Sequence, residues 1–229
     1  MPLSDQIGEG VERLRCSPDL VAIEIPKVRP LFASELSAVV SDSPEFCMRY
    51  SGRDASALGA AVKLELRSCG FPSALRRALV DYLSGLFDQF REVTPGSSLE
   101  TFLILRRPRS RSHWHIDHYR PEALQFISTL AGYPNTPFLL SDDYDRGVFE
   151  RYRQSISQRE LECQGLSLDD EVLYPLKAGM NQLAQGIEPR FVAGDLLFKG
   201  DELLHATPVS PVSRLIFTMS AVLTEAAQT

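Results

Sequence analysis

The clearest periodic pattern of apolar residues lies between Pro72 and the segment Thr94-Pro95-Gly96. Within it, apolar side chains recur every three or four residues, which is the spacing of one face of a helix. These residues are Leu75, Leu79, Tyr82, Leu86 and Phe90. Pro72 suits a first helical turn, and the Thr-Pro-Gly run stops the helix. We expect this amphipathic helix, and a shorter one over residues 55–66, to cover one face of a sheet.

From Leu99 onward, short apolar and β-branched runs separated by turn residues replace the helical spacing. Runs of this kind predict strands. The candidates are residues 101–105, 124–130, 138–140, 191–192, 196–198 and 214–223. Short strands with turns between them favour a barrel or a sandwich in the second half of the chain.

The 229 residues fit a single domain. We divide it into a mostly helical part over residues 1–98 and a β core over residues 99–225. Residues 142–168 are polar, charged and partly helical, with Asp145 as a possible N-cap. They predict an insertion between strands, and a lid over a pocket is one role that such insertions take.

Composition and charge narrow the classes of function. The net charge of -6 argues against general nucleic-acid binding, which normally needs a basic surface. No apolar run is long enough to span a bilayer, and the first residues lack the features of a signal peptide. The four cysteines are widely separated without a CxxC pair, which indicates reduced, mostly buried thiols. We therefore expect a cytoplasmic protein without a membrane partner.

The distribution of histidine is the strongest chemical signal. Three of the four histidines are His113, His115 and His118, and the fourth is His205. Imidazole is the commonest ligand of transition metals in proteins near neutral pH. Side chains two apart on a strand share a face, so His115 and Asp117 would converge, and His205 could complete the set from another strand. Two histidines and one carboxylate suit non-haem Fe(II) and leave coordination positions open.

His113 leaves an alternative ligand set open. It has the same strand parity as His115, so it could be a metal ligand, a neighbour of the ligands or a substrate contact. If it is a ligand, His113, His115 and His205 would form a site of three histidines. A surface segment that is rich in histidine is the alternative without any metal.

Arg214 stands nine residues after His205, at the start of a nearly all-apolar run. A guanidinium entering such a strand is costly unless it finds an anion, and its planar fork fits a carboxylate. The alternative is an arginine at the strand end that reaches water.

A basic loop precedes the histidine segment. It contains Arg106, Arg107, Arg109 and Arg111. A solvated, flexible loop is the simpler interpretation, and electrostatic attraction of an anionic substrate is the alternative.

The combination of His115-x-Asp117, distal His205 and Arg214 resembles the Fe(II)- and 2-oxoglutarate-dependent dioxygenases of the cupin-like double-stranded β-helix fold. The resemblance covers residues 99–223 and implies a mainly β core with flanking helices packed outside. It implies that His115, Asp117 and His205 bind the iron and that Arg214 binds the distal carboxylate of 2-oxoglutarate.

Further expectations follow from the same resemblance. Thr129, Thr136 and Thr218 are candidates for a second polar contact to 2-oxoglutarate, and we expect Thr218 to make that contact. The expected reaction is hydroxylation of a C–H bond in a small or peptidyl substrate, with His113 and Arg106 as candidate substrate contacts.

Two alternatives to this oxidoreductase remain. One is a cupin metalloenzyme that does not use 2-oxoglutarate and binds its metal through His113, His115 and His205. The other is a metal-binding sensor module without turnover. A role for Arg214 in binding 2-oxoglutarate would distinguish the oxidoreductase from the first alternative. Metal-dependent turnover of 2-oxoglutarate would distinguish it from the second.

Overall fold

The structure is a computed structural model, which describes most of the chain. The described residues are 3–26, 30–96, 98–108, 113–115, 123–132, 136–140, 142–145, 147–148, 150–151, 154, 184–192, 194–199, 203–207 and 210–222. Asp117 and His118 lie outside these ranges, as do Arg109, Arg111 and most of the predicted insertion.

Four helices and ten strands are formed by the described residues. The helices are α1 (Leu3–Cys16), α2 (Ala33–Asp42), α3 (Ala55–Ser68) and α4 (Ser73–Val93). The strands are β1 (Ala22–Ile25), β2 (Phe46–Ser51), β3 (Ser98–Arg106), β4 (His113–His115), β5 (Ala123–Ala131), β6 (Thr136–Leu139), β7 (Arg190–Val192), β8 (Asp195–Lys199), β9 (Leu204–Thr207) and β10 (Arg214–Val222). None of these helices is long and apolar enough to cross a membrane.

The strands form two antiparallel sheets. The larger has the order β1-β8-β5-β10-β3-β2, and the smaller has the order β4-β9-β6-β7. From β3 to β10 the chain changes sheet at each connection except that between β6 and β7, which are paired neighbours. Eight strands in two such sheets form the jelly roll of the double-stranded β-helix. The predicted fold class is therefore confirmed.

The larger sheet has one face against the helices and one face against the smaller sheet. On β10 the alternating residues Leu215, Phe217, Met219 and Ala221 are fully buried in the cluster that also contains the apolar face of α4. The residues between them, from Arg214 to Ser220, line the space between the two sheets. This alternation places the large apolar core outside the jelly roll and leaves the inner face for polar chemistry.

Two strands come from the part of the chain that the sequence analysis describes as mostly helical. β1 pairs with β8, and β2 pairs with β3, so both extend the larger sheet at its edges. β1 has only four residues, and its partner lies about 170 positions away, with Ile25 opposite Asp195. Pairing between such distant segments leaves little local signal in the sequence.

Asp195 is buried on the helix side of the larger sheet. It is the first residue of β8, is 1% exposed, and lies near Tyr82 of α4. Burial, with a further contribution from the Asp195 carboxylate, raises the pKa of Tyr82 to about 12. Because this pair lies on the helix side of the sheet, its polar groups do not take part in the cavity described below.

The described cysteines are free thiols, as expected, but they are not buried. Cys16 and Cys47 are exposed, and Cys69 is half-buried. The expectation of mostly buried thiols is therefore wrong for these three. Cys16 ends α1, where its Sγ donates to Glu12, and Cys47 lies on the edge strand β2, where it lines the space between the two sheets.

The asymmetric burial of the sheets predicts where truncation destabilises the fold. Phe217→Ala removes a fully buried ring, so we expect a loss of about 3–5 kcal/mol in the free energy of unfolding. The matched control is Phe191→Ala on β7, where the ring is 53% exposed and the loss should stay below about 1 kcal/mol. Urea unfolding followed by circular dichroism measures both. Equal losses would contradict this placement of the core.

Candidate active site between the sheets

The register of the smaller sheet brings two of the predicted metal ligands together. β4 and β9 are antiparallel, with His115 directly opposite His205 and His113 opposite Thr207. Residues directly opposite in such a pair have Cβ atoms about 4.5–5.5 Å apart on one face. A distance of this size suits two ligands of one metal ion.

His205 lies inside β9, the strand that follows β8 along the chain. The chain leaves β8 in the larger sheet, crosses to the smaller sheet and reaches His205 between β4 and β6. The imidazole is 3% exposed and packs edge-on against Phe198 of β8, with ring centroids 5.4 Å apart. Because Phe198 belongs to the opposite sheet, His205 points into the space between the sheets.

Arg214 is buried rather than directed to water. It is 3% exposed, and its Nη2 donates to the hydroxyl oxygens of Thr129 at 2.9 Å and Thr136 at 3.4 Å. The alternative of an arginine reaching solvent from the strand end is therefore wrong. These two neutral acceptors orient one edge of the guanidinium without neutralising its charge.

The backbone next to Arg214 is shaped to receive it. β5 and β10 change register between Leu215 and Ile216, and β5 ends just before Gly132. Gly132 has φ of 89°, and a Cβ there would lie 2.2 Å from the carbonyl oxygen of Ser213 and 3.1 Å from Arg214 Cα. Only glycine fits this position, because a side chain would meet backbone atoms that cannot move aside.

A cavity of about 380 Å³ lies between the sheets and connects these groups. His205 and Arg214 both line it, so the predicted metal ligand and the predicted carboxylate-binding arginine share one chamber. Thr136 lines it as well and contacts Arg214. The cavity thus brings together an imidazole, a buried guanidinium and a hydroxyl group.

Thr218 also lines the cavity, from the same face of β10 as Arg214. The two residues are four positions apart, which corresponds to about 13 Å along a strand. Thr129 and Thr136 both touch the guanidinium, so they lie nearer to it than Thr218 does, and Thr136 is the one of the two that also lines the cavity.

Arg106 and Arg107, two arginines of the predicted basic loop, face in different directions. Arg106 is half-buried, lines the cavity and stands directly opposite Arg214 in the pairing of β3 and β10. Arg107 faces away: its side chain donates to the carbonyl oxygen of Ser41, and its backbone N–H donates to Glu45. Arg107 therefore anchors the end of β3 from an exposed position, whereas Arg106 belongs to the strand itself and is not part of a solvated loop.

The remaining predicted ligands are placed only in part. The structure gives the backbone of His113 and His115 on β4, whereas Asp117 falls outside the described residues. Among the side chains that are described, no three histidine, cysteine or acidic residues group as a metal site. Assignment of the metal site thus depends on the register of β4 and β9 and on the sequence position of Asp117.

No protein-family model and no curated protein sequence matches the chain. Among solved structures it is similar to a prolyl-4-hydroxylase from Pseudomonas putida, at 12% identity and a TM-score of 0.45, over 95% of this chain and 99% of that one. It is similar to an N-substituted L-amino acid dioxygenase from Burkholderia ambifaria in complex with α-ketoglutarate, at 12% identity and a TM-score of 0.47, over 96% of this chain and 89% of that one. It is also similar to HygX from Streptomyces hygroscopicus with nickel and 2-oxoglutarate bound, at 16% identity and a TM-score of 0.41, over 93% of this chain and 87% of that one.

The close approach at Gly132 predicts a specific cost of adding one methyl group. Gly132→Ala should lower the free energy of unfolding by clearly more than Gly70→Ala, because both glycines have positive φ but only Gly132 has backbone within 3 Å of the added atom. For Gly70→Ala we expect about 1–2 kcal/mol, the cost of the left-handed conformation alone. Chemical denaturation of the two variants measures the difference. Equal losses would contradict the tight seat next to Arg214.

Proposed function

We propose that this protein is an Fe(II)- and 2-oxoglutarate-dependent oxygenase that hydroxylates a C–H bond. The observation that carries the proposal is the shared cavity of His205 and Arg214, with His115 directly opposite His205 on the neighbouring strand. A metal site and a carboxylate site in one chamber suit a cosubstrate that is both a metal chelator and a dicarboxylate.

In this proposal the metal is held by His115, Asp117 and His205. Positions 115 and 205 are cross-strand partners, and Asp117 follows His115 at the spacing that keeps the same strand parity. Two neutral imidazoles and one carboxylate suit Fe(II) and leave positions for a chelating cosubstrate and O2. Zn²⁺, Ni²⁺ or Mn²⁺ can replace iron in such a site, because affinity alone does not select Fe(II).

Arg214 is the proposed partner of the distal carboxylate of 2-oxoglutarate. Its Nη2 donates to Thr129 and Thr136, which fixes the orientation of the planar fork, and this fork has the geometry that matches a carboxylate. The hydroxyl of Thr136 faces the same cavity and is suited to donate to the second carboxylate oxygen. A guanidinium that is oriented before binding loses less side-chain entropy when the anion arrives.

The apolar lining of the chamber would strengthen these contacts. Phe198, Ile127 and Ile216 belong to the apolar cluster between the sheets, and Phe198 also fixes the ring of His205. Charged contacts are stronger in such surroundings than in water, because the effective dielectric constant is lower. Bound Fe(II) and 2-oxoglutarate would supply activation of O2 for C–H oxidation, and the protein would supply orientation and exclusion of water.

The metal assignment predicts which single changes remove iron. His115→Ala, Asp117→Ala and His205→Ala should each lower iron occupancy strongly, since each deletes one of three protein ligands. His113→Ala is the matched control and should retain full occupancy. Metal analysis of anaerobically reconstituted protein measures this. If His113→Ala loses iron while Asp117→Ala keeps it, the site is that of a cupin with three histidines.

The cosubstrate assignment predicts a graded response at Arg214. Arg214→Lys keeps the charge but loses the fork, so 2-oxoglutarate affinity should fall, and Arg214→Ala should lower it by at least about a hundredfold. Anaerobic titration of the Fe(II) protein, followed by the metal-to-cosubstrate absorption band, measures the dissociation constant.

Arg190→Ala is the control for this titration, because Arg190 is largely exposed and pairs with Asp143 on the outside. Iron affinity should change little in all three variants. Unchanged 2-oxoglutarate affinity in Arg214→Ala would refute the assignment. Binding without any turnover of 2-oxoglutarate would instead favour the sensor module.

A further inference from the structure

Arg106 is a second cation in the cavity, and the proposed cofactors do not account for it. We propose that Arg106 binds the carboxylate of the primary substrate and that this substrate is a small organic acid with an apolar body. This inference rests on the proposed function, which it extends from a reaction class to a substrate class.

Arg106 lies beside another cation. It is directly opposite Arg214 in the pairing of β3 and β10, and both residues line the same cavity. Like charges directly opposite in an antiparallel pair are destabilising unless counter-charges separate them. One carboxylate at Arg214 relieves only one of the two cations, so this arrangement favours a second anion beside the first.

The charged side chains near Arg106 already have partners. Arg49 forms an ion pair with Glu100, the acidic residue that lines the cavity. Arg107 is bonded to Ser41 on the outside. The side chain of Arg106, in contrast, has no hydrogen bond or ion pair within the described part of the chain, although it is half-buried. Partial burial of an unpaired guanidinium is costly, and a bound anion would remove that cost.

The balance of charge in the loaded site also favours an anionic substrate. The two positive charges of Fe(II) and the one of Arg214 are matched by Asp117 and by the two carboxylates of 2-oxoglutarate. Arg106 would therefore leave the filled cavity with a net positive charge. A substrate that carries one negative charge neutralises it, whereas a cationic substrate would add to the repulsion.

The shape of the cavity suggests the rest of the substrate. Phe102 and Ile104 precede Arg106 on the same face of β3 and line the cavity with it. An apolar surface that ends at a cation suits an amphiphilic acid. The volume of about 380 Å³ is near the lower end of the roughly 300–1,000 Å³ typical of ligand pockets. Together with 2-oxoglutarate, this leaves room for a small molecule.

Pairs of acids and their neutral amides test the proposal without knowledge of the natural substrate. The probes are hexanoate against hexanamide and 3-phenylpropanoate against 3-phenylpropanamide. Each is titrated calorimetrically into the anaerobic protein that is saturated with Fe(II) and 2-oxoglutarate, so that Arg214 is already occupied. In the wild type we expect each acid to bind at least about tenfold more tightly than its amide, the size of one charge-assisted contact.

Three variants assign this preference to one residue. Arg106→Gln should abolish it, and Arg106→Lys should restore part of it, which distinguishes loss of charge from loss of fold. Arg107→Gln removes the same charge from the adjacent position outside the cavity and should leave the preference intact. The 2-oxoglutarate affinity of Arg106→Gln should stay within about twofold of the wild type, since Arg214 holds that ligand.

Each opposite result overturns the inference. Equal binding of acid and amide by the wild type would show that no anion site exists for the substrate. A preference that survives in Arg106→Gln would place that site elsewhere, and a large loss of 2-oxoglutarate affinity in Arg106→Gln would make Arg106 part of the cosubstrate site. Failure of the wild type to bind 2-oxoglutarate at all would instead contradict the proposed function, so the two failures are distinguishable.

Discussion

Arg214 brings a permanent positive charge into the space between two apolar sheets, and much of the local structure serves that burial. Two hydroxyl groups orient its Nη2, a register shift between β5 and β10 makes space beside it, and Gly132 allows the backbone of Ser213 to pass within contact distance. A buried guanidinium is costly without an anion. Because Arg214, Thr136 and His205 line one chamber, we interpret the cavity as a binding site rather than as a packing defect.

The alternating strand order of the jelly roll explains how the site forms from distant segments. Arg214 comes from the larger sheet, whereas His115 and His205 come from neighbouring strands of the smaller one. Because the helices cover the outer face of the larger sheet, that face is mainly apolar, and the inner face is left for polar groups. Helix packing therefore stabilises the fold without filling the chamber.

The sequence predicted elements with a strong local period and missed those that depend on distant partners. The predicted helix after Pro72 and the predicted strands over 124–130 and 214–223 agree closely with the residue ranges of α4, β5 and β10. β1 and β2, in contrast, had no clear signal of their own in the sequence. At the site, histidine spacing indicated His115 and His205, but only the register shows that they are opposite each other. The contact of Thr129 and Thr136 with Arg214, and the position of Arg106 opposite it, join segments that no local pattern connects.

Anomalous diffraction at the iron edge, from crystals grown anaerobically with Fe(II) and 2-oxoglutarate, tests the central claim most directly. We predict one iron peak per chain, ligated by His115, Asp117 and His205, with 2-oxoglutarate extending from the iron to the guanidinium of Arg214. An iron that is ligated by His113 in place of Asp117, or an Arg214 that contacts no carboxylate in crystals containing 2-oxoglutarate, would contradict the account.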